Sequence, residues 1–218
     1  MNKPVLITDE WVMSYAAGAL SDSHALLVAT HAWYHPEVQQ RISDAEAIGG
    51  ALIEARDEVV MSQGSFDAMM SRLNEPVAGS EVAEIAEVRD ADMPAPLAQW
   101  LGKSWDELKW KKMGAGLSRV PLQVGPDGEK LWLLKAKAGV SIPIHDHNGL
   151  EMTLVMKGSY KVGSQHFGPG SLEVADHEIS DHLPVIGEDE DCICLVVTEG
   201  NIVPHSFIGK MIRPFIGL

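Results

Sequence analysis

Apolar residues recur at intervals of three and four over the first third of the chain, in residues 11–17, 26–33 and 42–59. That period is typical of amphipathic helices, so it predicts three of them. Pro36 separates the second from the third. It would interrupt a continuous helix, but it fits the first turn of a new one.

Polar and glycine residues mark where these helices begin and end. Asp9 is expected to cap the first helix, and Gly18 to stop it. Ser21 or Asp22 is expected to cap the second helix, while Gly64 is the expected end of the third. A bundle of this size has a small core, which we expect to include Trp11, Tyr15, Leu27, Trp33 and Ile48.

After about residue 110 the apolar period changes to that of strands. Short runs of alternating and β-branched residues are separated by turn residues, and the Gly-Pro-Asp-Gly of residues 125–128 predicts a hairpin. Many short strands at spacings of roughly 8 to 12 residues favour an all-β sandwich or barrel. The pattern therefore predicts helical residues 1–75, a linker at 76–97 that contains at most a short helix over 81–89, and a β domain at 98–218.

Charge divides the chain in the same place. Of 218 residues, 31 are acidic and 17 basic, and residues 1–97 hold 16 acidic and 5 basic side chains, a net of −11. This argues against direct nucleic-acid binding, because phosphates would be repelled. It fits a basic partner protein, or it only aids solubility. No apolar run is long enough for a bilayer and no secretory signal is evident, so we expect a cytoplasmic protein away from membranes.

The strongest chemical motif is His-Asp-His-Asn-Gly-Leu-Glu. His145 and His147 are two residues apart, so on a strand they share a face. Asn148 and Gly149 allow a turn that returns Glu151 to their side. Two imidazoles and a carboxylate suit Zn²⁺, or a divalent iron, manganese or nickel ion.

The spacing around these residues resembles the first motif of the cupin family. Gly139, His145, His147, Glu151 and Gly158 satisfy every interval of that motif. The resemblance implies an antiparallel jelly-roll β-barrel in which the two histidines and the glutamate bind a metal ion.

The second cupin motif is degenerate. When it is counted from Gly170, Asp176 and Glu178 stand where proline and glycine are expected, and His182 falls one residue late. By this resemblance His182 is the predicted fourth ligand, and His177 is the alternative.

The helical part resembles the N-terminal domain of the ChrR anti-sigma factors. The resemblance covers nearly the whole chain, and its shared stretches are Tyr15-Ala16-Ala17-Gly18, Leu20-Ser21, Val28-Ala29-Thr30-His31, Gly49-Gly50, His182-Leu-Pro-Val-Ile-Gly and Cys192-Ile-Cys194-Leu. It implies that the acidic helices sequester a sigma factor of the extracytoplasmic-function group. It also implies that a zinc-binding cupin is needed for the response to singlet oxygen or related oxidants. Such a protein is a regulator rather than an enzyme.

The zinc motif of that family's helical domain is incomplete in this chain. His31 is retained, but His35 and Val38 stand at the two cysteine positions, and an apolar residue near Leu6 replaces an early histidine. A closed structural zinc site needs four ligands, so we expect no structural zinc in the helical part.

Two further points stay open. A cupin oxygenase that uses iron and a small substrate, with a vestigial helical domain, is the alternative function. Cupins often dimerise, which leaves a homodimer open.

Cys192 and Cys194 alternate in an apolar run, and we expect inert core thiols there rather than oxidant targets.

Overall fold

Helices form the first part of the chain and antiparallel sheets the second, which confirms the predicted fold class. The computed structural model describes residues 6–73, 92–114, 116–175, 183–200 and 202–204, and the short helix expected over 81–89 lies outside them. Across these ranges, no helix has the length and apolarity needed to cross a membrane. The helices are α1 (Asp9–Ala16), α2 (Asp22–Tyr34), α3 (Pro36–Glu54), α4 (Ser65–Leu73) and α5 (Ala95–Leu101).

The helix boundaries confirm part of the prediction. Ser21 caps α2, and its side chain accepts a hydrogen bond from the His24 backbone N–H. The expected cap at Asp9 is wrong: Thr8 is the N-cap, and Asp9 lies in the first turn, where its charge favours the helix dipole.

The third helix is shorter than predicted. It ends at Glu54 rather than at Gly64, which instead precedes α4. The physical reason lies in residues 55–60, where three charged residues precede two β-branched valines, so no apolar face continues.

Eleven short strands occur in the described part of the second half. They are β1 (Lys111–Gly114), β2 (Leu117–Val124), β3 (Lys130–Ala136), β4 (His145–His147), β5 (Glu151–Lys157), β6 (Tyr160–Val162), β7 (Gln165–Phe167), β8 (Leu172–Ala175), β9 (Pro184–Ile186), β10 (Cys192–Thr198) and β11 (Ile202–Pro204). The predicted hairpin at residues 125–128 joins β2 to β3.

The strands form sheets of six, three and two strands, in the orders β1-β2-β3-β10-β5-β8, β7-β6-β9 and β11-β4. The central strand β10 is buried along its whole length, because both faces of the large sheet are covered. Cys192, Cys194 and Val196 face the barrel interior together with Trp132 and Tyr160.

The other face of β10 packs under the helices. Ile193, Leu195 and Val197 belong to one apolar cluster with residues of α1, α2, α3 and α5, including the fully buried Leu27 and Leu97. The helices therefore share their core with the barrel. Helix α5 packs on α2, and it spans the predicted boundary between the linker and the β domain at residues 97 and 98.

Two members of the expected helical core are not in it. Trp33 is 41% exposed and Ile48 is 55% exposed, whereas Leu27 is buried and Trp11 and Tyr15 pack partly against the core. The reason is that α2 packs on β10 through another face, while α3 packs on α1 and α2, which leaves these two side chains outside.

The end of α2 is attached to the barrel by two hydrogen bonds. The Tyr34 hydroxyl donates to the Met156 carbonyl at 3.1 Å, and His35 Nε2 is 2.7 Å from the Gly170 carbonyl. Gly170 has a φ of +81°, and a Cβ there would lie 2.8 Å from Tyr34 Cβ. A glycine is therefore required at this contact on both counts.

We predict that Gly170→Ala destabilises the protein by about 2 kcal/mol or more, because it adds a steric clash to backbone strain. Gly163→Ala is the matched control, since Gly163 has a φ of +57° but open space around it. That variant should cost only about 1 kcal/mol. Urea unfolding of both variants measures the difference, and equal losses would show that the contact with Tyr34 contributes nothing.

Candidate functional site

The first three predicted metal ligands lie at a crossing between two sheets. His145 and His147 are the ends of β4, which pairs with β11, while Glu151 begins β5 in the large sheet. The turn between them passes close to the end of β10, where the Glu199 N–H donates to the Leu150 carbonyl at 2.7 Å. A Cβ at Gly149 would overlap the Glu199 carbonyl, so only glycine fits this turn.

His145 is held in an orientation that suits metal binding. Its side chain is buried, and its Nδ1 is 2.8 Å from the Pro143 carbonyl. A carbonyl only accepts, so Nδ1 carries the proton and Nε2 of the neutral ring carries the lone pair. Metal-binding histidines are commonly oriented by this kind of hydrogen bond.

Glu151 lies on the interior side of the barrel. Its carboxylate is buried, and Oε1 accepts a hydrogen bond from the Thr153 hydroxyl at 3.3 Å. A buried carboxylate and a buried imidazole are types of donor that suit a divalent cation.

A buried polar pair that no sequence motif marks also lies in the barrel. The Tyr160 hydroxyl donates to Glu173 Oε2 at 2.6 Å, and both side chains are buried. Burial raises the pKa of Tyr160 well above its ordinary value, and the negative charge of Glu173 raises it further. The sequence Ser-Leu-Glu-Val-Ala could have indicated that Glu173 is buried, because the strand period places it on an inward face.

The full ligand set stays a prediction. The side chain of His147 lies outside the described residues, as do His182 and the alternative His177. Among the side chains that the structure describes, no three His, Cys, Asp or Glu residues are grouped to hold a metal ion.

The two cysteines are buried inside the barrel, as expected. Cys192 and Cys194 are free thiols whose sulfur atoms are 3.6 Å apart. The hydrogen bond between the thiols and their burial raise the pKa of Cys194 well above its ordinary value. A thiol that stays protonated is a poor nucleophile, which fits a packing role.

In the helical part, the two histidines at the family's zinc-motif positions make other contacts. Their rings are 4.6 Å apart between centroids. His31 Nε2 accepts a hydrogen bond from the Ile7 N–H at 3.3 Å, and His35 Nε2 contacts the Gly170 carbonyl. Val38, at the second cysteine position, is fully buried in the apolar core. This donor set does not fit a closed structural zinc site.

Burial makes His31 difficult to protonate. Its pKa is lowered to about 4, first by burial and then by the nearby His35; Arg41 also lowers it, while the Gly170 carbonyl and Glu37 oppose the shift. In the unfolded chain the pKa would be near 6.5. The neutral ring therefore stabilises the fold above pH 6.5, and this stability is lost as the pH falls toward 4.

We predict that the free energy of unfolding of the wild type falls by about 3 kcal/mol more than that of His31→Gln between pH 7 and pH 4. Glutamine keeps a hydrogen-bond acceptor but has no titrating group. The control is His166→Gln, at an exposed position on β7. Chemical unfolding at several pH values measures the slopes, and identical slopes for the wild type and His31→Gln would contradict the assignment.

A known protein is similar to this chain along nearly its whole length. Residues 101–201 match the family described as the ChrR cupin-like domain. The chain is 35% identical over 211 residues to the anti-sigma-E factor ChrR of Cereibacter sphaeroides, a match that covers 96% of both proteins.

The fold agrees with a solved relative. The structure is similar to a chain in the crystal structure of Rhodobacter sphaeroides SigE in complex with the anti-sigma ChrR. The TM-score is 0.75 with 34% sequence identity, over 88% of this chain and 97% of that chain. The agreement covers the helices and the barrel together, and the chain belongs to the ChrR family of anti-sigma factors.

Proposed function

We propose that this protein binds and sequesters a sigma factor of the extracytoplasmic-function group through its helical part, residues 1–75. Residues 76–97 would act as a linker and residues 98–218 as the metal-binding cupin. The proposal rests on family membership and on one observation, the exposed apolar surface of α3 and α4. A sigma factor acts on RNA polymerase, so the partner would be met in the cytoplasm.

Exposed apolar side chains follow one another through the second half of α3, the connection after it and α4. They are between 40% and 94% exposed. We call this set the α3–α4 surface, and it consists of Ile48, Leu52, Ile53, Val59, Val60, Met61, Phe66, Met69, Met70 and Leu73. Large exposed apolar patches are typical of protein–protein interaction sites.

Acidic side chains accompany the α3–α4 surface along the sequence. Glu54, Asp57, Glu58 and Asp67 are all exposed. An apolar surface with negative charges around it is complementary to a partner with an apolar face and a basic rim. Charge attraction would speed association, while apolar burial would supply most of the affinity.

We predict that the double substitution Phe66→Ser with Met69→Ser weakens binding to the cognate sigma factor of the extracytoplasmic-function group by at least about tenfold. The two residues are three positions apart on α4 and therefore share one face. Both are exposed, so the free energy of unfolding should change by less than about 1 kcal/mol. Calorimetric titration with the purified sigma factor measures the affinity.

The matched control for this test is Val124→Ser. Val124 is 69% exposed on β2, away from the α3–α4 surface, and its substitution should leave binding unchanged. Binding of the double variant with wild-type affinity would exclude this surface. Failure of the wild type itself to bind would overturn the proposed function.

For the cupin part, we propose that His145, His147, Glu151 and His182 hold a zinc ion and that this part acts in the response to singlet oxygen or related oxidants. Four protein ligands would complete a tetrahedral zinc site, which typically serves structure or sensing rather than catalysis. The burial of His145 and Glu151 and the hydrogen bond of His145 to Pro143 support this site.

We predict that protein purified without added metal contains about one zinc ion per chain, and that His145→Ala or Glu151→Gln lowers this content severalfold. His182→Ala should do the same, whereas His177→Ala should not. Metal analysis by mass spectrometry provides the measurement, and His166→Ala at an exposed position is the control.

Metal-depleted variants should still bind the sigma factor, because the α3–α4 surface lies on the helices. Zinc loss in His177→Ala but not in His182→Ala would reassign the fourth ligand. Iron with water in its coordination sites would favour a cupin oxygenase instead.

A further inference from the structure

Helix α4 has an apolar face that is exposed along its whole length. Phe66, Met69, Met70 and Leu73 fall at the i, i+3, i+4 and i+7 positions, so they line one face of the helix. They are 65%, 52%, 40% and 71% exposed, respectively. The two methionines lie at the centre of this face, between the phenylalanine and the leucine. A partner that covers the face therefore contacts both methionine side chains.

Met69 and Met70 belong to the accessible methionines of this chain. Met93, Met152 and Met156 lie in the shared apolar core, where each is at most 4% exposed. Within the described residues, the methionines that are at least 40% exposed are Met13, Met61, Met69 and Met70. Three of these four belong to the α3–α4 surface. An oxidant dissolved in water therefore has access to the methionines of this surface, whereas the core excludes it.

The two thiols of the barrel are poorer targets for an oxidant. Cys192 and Cys194 are at most 2% exposed, and the hydrogen bond between them and their burial raise the pKa of Cys194. A thiol reacts with a peroxide as the thiolate, so it needs both access and ionisation. A thioether has no proton to lose, so access alone limits its reaction. The exposed methionines are therefore the more reactive sulfur groups.

Oxidation of a methionine turns an apolar side chain into a polar one. One oxygen atom of a peroxide forms a bond to the thioether sulfur while the O–O bond breaks. The proton of the transferred oxygen goes to the leaving oxygen, which departs as water or an alcohol, so the sulfur is oxidised and the peroxide is reduced. The new S=O group accepts hydrogen bonds from water, and it loses them when an apolar partner surface covers it. A sulfoxide on this face of α4 therefore opposes binding.

We propose that Met69 and Met70 are oxidation sites through which a peroxide lowers the affinity of this chain for its sigma factor. The effect on affinity rests on the proposed function, because it arises where the sigma factor covers α4. A bound sigma factor would shield both side chains, so the reaction takes place on the free chain and prevents it from binding again. Methionine sulfoxide reductases would reverse the change.

The test is to treat the free full-length protein with hydrogen peroxide, remove the peroxide with catalase, and titrate the cognate sigma factor into it in a calorimeter. Peptide mass spectrometry should find sulfoxide at Met69 and Met70. The affinity of the oxidised wild type should be lower by at least about tenfold. Treatment with methionine sulfoxide reductases should restore it.

Two variants locate the effect. The double variant Met69→Leu with Met70→Leu keeps an apolar face of similar volume and has no sulfur there, so untreated it should bind within about threefold of the wild type. After peroxide treatment it should keep that affinity. Met13→Leu is the matched control, because Met13 is 49% exposed on α1, outside the α3–α4 surface. This variant should lose affinity on oxidation as the wild type does.

Each failure has a distinct meaning. If the untreated wild type does not bind the sigma factor, the proposed function fails and this role of the methionines fails with it. If the untreated wild type binds, the oxidation sites alone are overturned by an oxidised wild type of unchanged affinity, or by an equal loss in the double leucine variant. Thermal unfolding separates a local effect from damage to the fold. A fall in melting temperature that the oxidised wild type and the oxidised double variant share would assign the loss to the buried methionines instead.

Discussion

The packing of the helices on the outer face of the large sheet is the interaction on which the rest of this structure depends. Leu27 of α2 and Leu195 of β10 are both fully buried and belong to the same apolar cluster. A helical unit of this size buries little apolar surface alone, so a shared core is the physical solution. Strand β10 shows the consequence in its sequence. It is apolar at every position before its last residue, Thr198, because one face looks into the barrel and the other toward the helices.

The same packing explains the contacts of His31, His35 and Val38, which stand where the family resemblance implies a zinc motif. His35 bonds to the Gly170 carbonyl, His31 accepts from the Ile7 N–H, and Val38 fills the core. Each of these side chains makes a contact that a metal ligand would have to give up. Hydrogen bonds and apolar packing here connect α2 to the N-terminal segment and to the barrel, whereas a metal site would connect helical residues only to one another.

Much of the fold and part of the site could be predicted from local patterns. The change from a helical to a strand period located the two halves, and the Gly-Pro-Asp-Gly turn located a hairpin. The spacing of His145 and Glu151 brought two buried donors to the crossing between sheets. Trp33 and Ile48 were misplaced, because helical spacing shows that a face is apolar but not which faces a neighbouring domain will cover.

The sequence by itself determined the order of elements, the acidic character of the first half and the chemistry of the cupin motif, because these depend on residue type and on spacings of a few positions. Only the tertiary structure decided which carbonyl His35 contacts, since Gly170 is 135 residues away along the chain. It also decided that Glu129 is buried, although in sequence it follows a polar turn. Burial, and contacts between residues far apart in sequence, depend on how the elements pack. A local sequence pattern carries no information about which distant segment will pack against it.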